Sequence, residues 1–167
     1  MKPKMLANTA ADFLQVSVQA IHKNIKSKQL PYEKNKNRIF FGYETSKTLF
    51  NIKVNPLTIS SQIVKGGTGK TTLISSLAIG LSLYGLKVLC IDLDQQANLT
   101  KFFGVDSVTK PIMIDILEDD ASLRESIVPA IEGIDILPSR IENAMLDNVL
   151  MLKQFALDRV YRDRINE

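Results

Sequence analysis

Cysteine occurs once in the 167 residues, histidine once and tryptophan not at all. Each scarcity excludes something. Cys90, inside the apolar run KVLCID, has no partner for a disulfide and is expected to be a small buried side chain in a reducing, intracellular setting. His22 has no second His or Cys near it in sequence, which argues against a zinc site. No stretch reaches the roughly 18 apolar residues of a membrane span, and the opening MKPKMLANTAADFLQ lacks the apolar segment of a secretory signal. A cytoplasmic protein with no membrane attachment is expected. There are no internal repeats or low-complexity tracts, and 45% hydrophobic with 23% charged residues is an ordinary globular composition.

The net charge of +3 hides an asymmetry. Residues 1–55 hold ten Lys/Arg against three Asp/Glu, a charge of +7, whereas residues 56–167 carry −4. Such a split suggests that the N-terminal end meets a polyanion.

Apolar spacing predicts two short helices between Thr9 and about Gln29, with a turn near Gln15 and Val16. Ala10, Ala11, Phe13 and Leu14 share one face, Val18, Ile21 and Ile25 the next, and Ser17 is a candidate N-cap. A polar turn over Glu33–Asn37 between Tyr32 and Ile39-Phe40-Phe41 predicts a hairpin. Residues 45–53 are expected to be helical, and Asn55-Pro56 marks a domain boundary. Beyond it the pattern predicts a strand from Leu57-Thr58-Ile59 into a Gly-rich loop, then a helix over Thr71–Tyr84 stopped by Gly85. A strand over Lys87–Leu93, apolar enough to be covered on both faces, comes next. Helices at 112–117 and 123–128, a strand at 134–137 and a long helix from Arg140 to about Ile165 complete the order. That order implies a doubly wound, mainly parallel α/β sheet.

The Gly-rich loop, KGGTGKTT at 65–72, carries the clearest chemistry. It meets the phosphate-loop spacing G-x-x-x-x-G-K-[ST] only in part, because no glycine stands at the first position of that spacing. Gly66, Gly67 and Gly69 lack Cβ atoms, so the backbone can curl and aim its N–H groups at phosphate oxygens. The helix behind them adds its positive end. Lys70 is suited to the β- and γ-phosphates and the Thr71 hydroxyl to Mg²⁺. Downstream, IDLDQQANLT places two carboxylates at a strand's carboxyl end, Asp94 lying 24 residues after Lys70, about one helix and one strand away. Asp94 is the candidate for positioning an attacking water and Asp92 for the outer shell of the metal; Gln96 and Asn98 fall in the same loop. Taken alone, D-x-D pairs at strand ends often do no more than cap the next turn.

KGGTGKTT resembles the deviant Walker A motif, K-G-G-x-G-K-[ST], of the ParA and MinD superfamily at every defined position. IDLDQQ resembles that family's D-x-D-x-Q strand end, and IDILPSRIENA its Leu-Pro-Ser segment, to which no chemistry attaches. The resemblance implies a nucleotide site formed by Gly66, Gly67, Thr68, Gly69, Lys70, Thr71 and Thr72, with ATP and Mg²⁺ as cofactors. It also implies that Lys65 reaches across an ATP-dependent homodimer to the partner's nucleotide, where the plain alternative is a solvated loop lysine. Residues 9–30 resemble a winged or MerR-like helix-turn-helix. Ser17, Gln19, Ala20, Lys23 and Asn24 would begin its recognition helix, and Lys34, Lys36 and Arg38 would sit on its wing. The plain alternative is a solvated basic face.

Together these imply a helix-turn-helix DNA-binding domain over residues 1–55 and the first half of a P-loop ATPase domain over 56–167. The family continues into a Walker B strand, so residues 1–167 alone are expected to hydrolyse ATP poorly. The function implied is plasmid or chromosome partition on the nucleoid, with a ParB-like centromere-binding partner and autorepression of the operon. A sequence-specific repressor with a vestigial ATPase part is the second reading. A MinD-like membrane protein is disfavoured, because no terminal amphipathic anchor is visible.

Overall fold

Why the N-terminal helices stop where they do is visible in two local devices. In the computed structural model, which describes residues 2–62, 67–119 and 121–153, helix α1 spans Ala7–Leu14 and α2 spans Val18–Ser27. Gln15 takes the left-handed conformation (φ 55°) that closes α1, and the Ser17 hydroxyl accepts the Ala20 N–H at 3.2 Å to open α2. A short strand β1 (Met5–Leu6) precedes them. Strands β2 (Glu33–Asn35) and β3 (Arg38–Phe41) follow, then α3 (Tyr43–Phe50). The three strands form an antiparallel sheet in the order β1-β3-β2, with Met5 opposite Phe41 and Lys34 opposite Ile39.

Alternation along β3 turns Ile39 and Phe41 to one face, where they are buried with Ala10 and Ala11 of α1 and Ile21 and Ile25 of α2. Glu33–Asn35, expected in the turn, belong instead to a strand. The turn is the tighter pair Lys36-Asn37, with Lys36 at φ 52°. The strand β1 gave no sequence signal, since two residues cannot show alternation.

By packing, the chain divides into two units. One comprises the residues up to Val88 with Ile131–Ile134, and the other comprises Leu89–Ala130 with the residues from Asp135 onward. The first therefore extends past the compositional boundary at 55/56 and takes in α4 (Lys70–Leu83). Leu83 and Tyr84 pack on the N-terminal core, where the Tyr84 ring lies 4.7 Å from Phe13 and 5.6 Å from Phe50. The buried face of α4 is made of Ser75, Ala78 and Ser82, small residues that let neighbouring backbone come close. At Gly85 (φ 82°) the approach is extreme: a Cβ there would stand 2.5 Å from the Lys47 main chain.

In the second unit lie α5 (Asn98–Phe102), α6 (Met113–Glu118), α7 (Leu123–Ser126) and α8 (Leu146–Lys153). Ile112, Met113, Ile116, Leu137, Leu146 and Val149 form its core. Arg140 fastens the loop ahead of α6 by donating to the carbonyls of Ser107 (2.6 Å) and Lys110 (2.7 Å), and it pairs with Asp115 at 3.2 Å. The second sheet has the order β4-β6-β5, with β4 at Val88–Ile91, β5 at Val128–Ile131 and β6 at Ile134–Leu137. The Val88 N–H donates to the Gly133 carbonyl and the Asp92 N–H to the Leu137 carbonyl, so β4 and β6 run parallel. The two-residue link Glu132-Gly133 makes β5 and β6 an antiparallel hairpin.

Several expectations need correction. No strand forms at Leu57–Ile59: residues 51–62 carry no regular structure and Leu57 is 81% exposed. Three apolar residues cannot make a strand without a hydrogen-bonded neighbour. The strand expected over Lys87–Leu93 is confined to Val88–Ile91 and sits at an edge of the described sheet, which leaves Leu89 exposed rather than covered. The sheet is mixed rather than mainly parallel, because β5 was hidden by Pro129, a residue that an edge strand tolerates. The helix expected at 123–128 ends at Ser126, and that expected at 45–53 is α3, closed by Asn51 in the left-handed region. The long helix from Arg140 begins as a 3₁₀ turn, Ile141–Met145, before α8; its expected remainder lies outside the described residues.

Candidate functional site

The Gly-rich loop enters α4 through two glycines in the left-handed region, Gly67 (φ 74°) and Gly69 (φ 82°), and Gly69 is the N-cap residue. Side chains adopt these angles only under strain. A Cβ on either glycine would meet no atom within 4 Å, so their backbone faces open space. Lys70 is the first residue of α4, and the first intrahelical bond runs from the Leu73 N–H to the Gly69 carbonyl at 2.8 Å. The N–H groups of Lys70, Thr71 and Thr72 therefore lie in the turn that has no intrahelical acceptor. At the mouth of a helix of 14 residues they form a positive, donor-rich end beside Thr68 and the two half-buried side chains Lys70 and Thr71. Such a cradle suits a phosphate group. Lys65 and Gly66 lie outside the described residues.

The carboxylates after β4 behave differently from each other. Asp92 is buried, and both of its oxygens are engaged. Oδ2 accepts from the Thr100 N–H (2.9 Å) and the Thr100 hydroxyl (2.7 Å), and Oδ1 accepts from the Asp94 N–H (3.2 Å). A carboxylate offers about four acceptor positions, so about one remains for anything else. Asp94 is exposed; one of its oxygens accepts the Gln96 N–H at 2.9 Å and closes a local turn. Lys101 donates to the Gln96 carbonyl at 2.8 Å and steadies the same turn, while Asn98 opens α5. Burial, with Asp92 close by, raises the thiol pKa of Cys90 to about 11, so it stays protonated near neutrality.

Three buried polar residues join this group without having been singled out: Thr100, Ser139 and Asn143. The Ser139 N–H donates to Thr100 Oγ1 (3.0 Å), its hydroxyl donates to the Asp94 carbonyl (2.7 Å), and Asn143 Nδ2 donates to Ser139 Oγ (2.8 Å). Ser139 lies in the Leu-Pro-Ser segment, whose sequence by itself carries no chemistry. Thr100 and Asn143 gave no signal, because a polar residue near others in sequence is ordinary, and what marks these two is burial and bonds to Ser139 and to Ile114, 39 and 29 positions away respectively.

On the first unit, Ser17, Gln19, Lys23, Asn24, Lys34, Lys36 and Arg38 are all exposed and Ala20 is half-buried. Gln19, His22, Lys23, Lys26 and Ser27 line a shallow open groove along α2. Two further lysines nearby are paired, Lys4 with Glu33 and Lys2 with Glu132, and the latter contact raises the pKa of Lys2. Among the described residues no cluster of His, Cys, Asp and Glu could hold a metal ion by itself, and no helix is long and apolar enough to cross a membrane.

A glycine-rich turn feeding a helix, in an α/β chain with a strand that ends in carboxylates, defines the phosphate-loop class of α/β proteins. Residues 57–166 match the family described as an AAA domain, and the chain belongs to that family, in its ParA-type group. Among its relatives is the sporulation initiation inhibitor protein Soj of Bacillus subtilis, 37% identical over 82 residues, a match covering 48% of this chain and 32% of Soj. The virulence plasmid ParA family protein pGP5-D of Chlamydia psittaci is 46% identical over 81 residues, with 46% of this chain and 30% of that protein covered. Among solved structures, a variant of Cyanothece McdA in complex with ATP superposes with a TM-score of 0.50 at 28% identity, covering 55% of this chain and 35% of that one. The chain thus spans about a third of the length of these relatives.

Proposed function

We propose that this chain supplies the nucleotide-binding and DNA-contacting parts of an ATP-switched partition protein. The observation that carries the reading is the loop geometry: Gly67 and Gly69 at positive φ, facing open space at the mouth of α4, in a sequence reading KGGTGKTT. In this reading Gly66, Gly67, Thr68, Gly69 and the α4 N-terminus wrap the phosphates of ATP, Lys70 neutralises the β- and γ-oxygens and Thr72 lies near the α-phosphate. Thr71 ligates Mg²⁺ and Asp92 holds a water of its outer shell, using its remaining acceptor position. Bound there, Mg²⁺ would offset charge on the phosphates. Asp94, with its exposed carboxylate, orients the attacking water. Lys65 acts on the partner's nucleotide across a homodimer. The likeness to McdA solved with ATP supports ATP as the ligand.

Residues 1–55 form a winged helix-turn-helix in this reading, and 56–167 the ATPase part. The support is an α1-turn-α2 pair with a capping Ser17, followed by a hairpin that exposes Lys34 on β2, Lys36 in the turn and Arg38 on β3. Ser17, Gln19, Ala20, Lys23 and Asn24 face base edges and the hairpin faces phosphates. The protein works on nucleoid DNA with a ParB-like partner and represses its own operon.

Titration with a fluorescent ATP analogue and Mg²⁺ tests the nucleotide half. Micromolar binding that weakens by about a hundredfold in Lys70→Ala is expected, consistent with the loss of charge-assisted phosphate contacts. Equal binding by the two proteins would refute it. For the DNA half, affinity for duplex should fall with salt, and Lys34→Ala with Lys36→Ala should flatten the log–log slope by about 2. Operator binding indifferent to ATP and to Lys70→Ala would favour the repressor reading.

A further inference from the structure

Both peptide groups of Asp94 are held in place. Its N–H donates to Asp92 Oδ1 at 3.2 Å, and its carbonyl accepts from the Ser139 hydroxyl at 2.7 Å and the Ala97 N–H at 2.8 Å. The residue that faces solvent with its carboxylate is thus clamped through its backbone.

The clamp is directional. A hydroxyl has one hydrogen to donate, and where that hydrogen points depends on what occupies its lone pairs. Asn143 Nδ2 donates to Ser139 Oγ at 2.8 Å, which leaves the Ser139 hydrogen for the Asp94 carbonyl. The Ser139 N–H donates to Thr100 Oγ1 at 3.0 Å, which leaves the Thr100 hydrogen for Asp92 Oδ2 at 2.7 Å. Asn143 is itself oriented, its Oδ1 accepting the Ile114 N–H at 3.3 Å. Thr100, Ser139 and Asn143 are 2%, 0% and 4% exposed, so no water competes for these bonds. A core position that needed only volume would hold Val or Ala; polar groups stand here instead, and the bonds from Asn143 to Ser139, from Ser139 to Asp94 and from Thr100 to Asp92 lead to the two carboxylate residues.

We propose that Thr100 and Ser139 are positioning residues, Thr100 fixing the Asp92 carboxylate and Ser139 fixing the Asp94 main chain. What the two carboxylates act on rests on the nucleotide reading above; the clamp does not.

The test uses the full chain and the variants Thr100→Val, Thr100→Ser and Ser139→Ala, with two readouts. Residue-resolved amide exchange should accelerate about tenfold at Asp94 and Ala97 in Ser139→Ala and in Thr100→Val, as expected for the loss of one buried hydrogen bond. The amides of Ile39 and Phe41 should be unchanged, and Thr100→Ser should behave as wild type. Binding of a fluorescent ATP analogue, compared in Mg²⁺ and in EDTA, gives the second readout. Thr100→Val should lose about fivefold of the affinity gained from Mg²⁺ while binding in EDTA is unaffected, and Thr100→Ser should restore it. Acceleration spread evenly over all amides would mark both residues as merely structural and overturn the proposal, as would unchanged exchange at Asp94 and Ala97. If the wild type binds no ATP analogue, the nucleotide reading falls and the exchange data alone decide the clamp.

Discussion

Gly133 lies so close to Tyr43 that a Cβ built on it would stand 2.3 Å from the ring's Cδ2, and its φ of 82° is one that other residues adopt only under strain. Both conditions make glycine obligatory in the β5–β6 turn. Gly133→Ala should destabilise by about 3 kcal/mol, combining left-handed strain with overpacking. Gly80, inside α4, has nothing within 4 Å of its would-be Cβ and an ordinary φ. There the same substitution should stabilise by about 0.5–1 kcal/mol, through helix propensity. Urea denaturation of the two variants should give opposite signs.

Ser17 caps α2 through its bond from the Ala20 N–H. Ser17→Ala should cost about 1 kcal/mol in urea denaturation, and Ser17→Asp should retain most of the stability because its carboxylate can accept the same N–H. Equal loss in both variants would mean that the hydroxyl is needed for something other than capping.

Cys90 is raised from its ordinary 9.0 to about 11 by burial, with Asp92 adding to the effect. A raised acid keeps its proton longer in the folded state than in the unfolded state. Its contribution is therefore complete below pH 9 and is lost as pH rises towards 11, amounting to about 2 kcal/mol. Stability measured across that window should fall less steeply in Cys90→Ala. At pH 7.5 a thiol reagent should modify the native protein far more slowly than the urea-unfolded chain.

Local chemistry was well written in the sequence. The α1–α2 turn with its Ser17 cap, the glycine turn at Gly67 and Gly69 ahead of α4 and the strand at 134–137 were all legible, because each depends on residues a few positions apart. The strand expected at Leu57 and the mainly parallel sheet were misjudged, because strand formation depends on a partner that apolar spacing does not name. Pro129 concealed β5 by its usual meaning, and only the position of β5 at a sheet edge explains why it is tolerated there.

The sequence by itself determined the loop that opens α4 and the charge imbalance of the N-terminal part, since glycine conformation and formal charge are properties of residues. Tertiary structure alone decided that Asp92 is buried and held by three hydrogen bonds while Asp94 is exposed. It did so by bringing Ser139 to Thr100 and Asp94, 39 and 45 positions away along the chain, as a hydrogen bond is made by proximity in space.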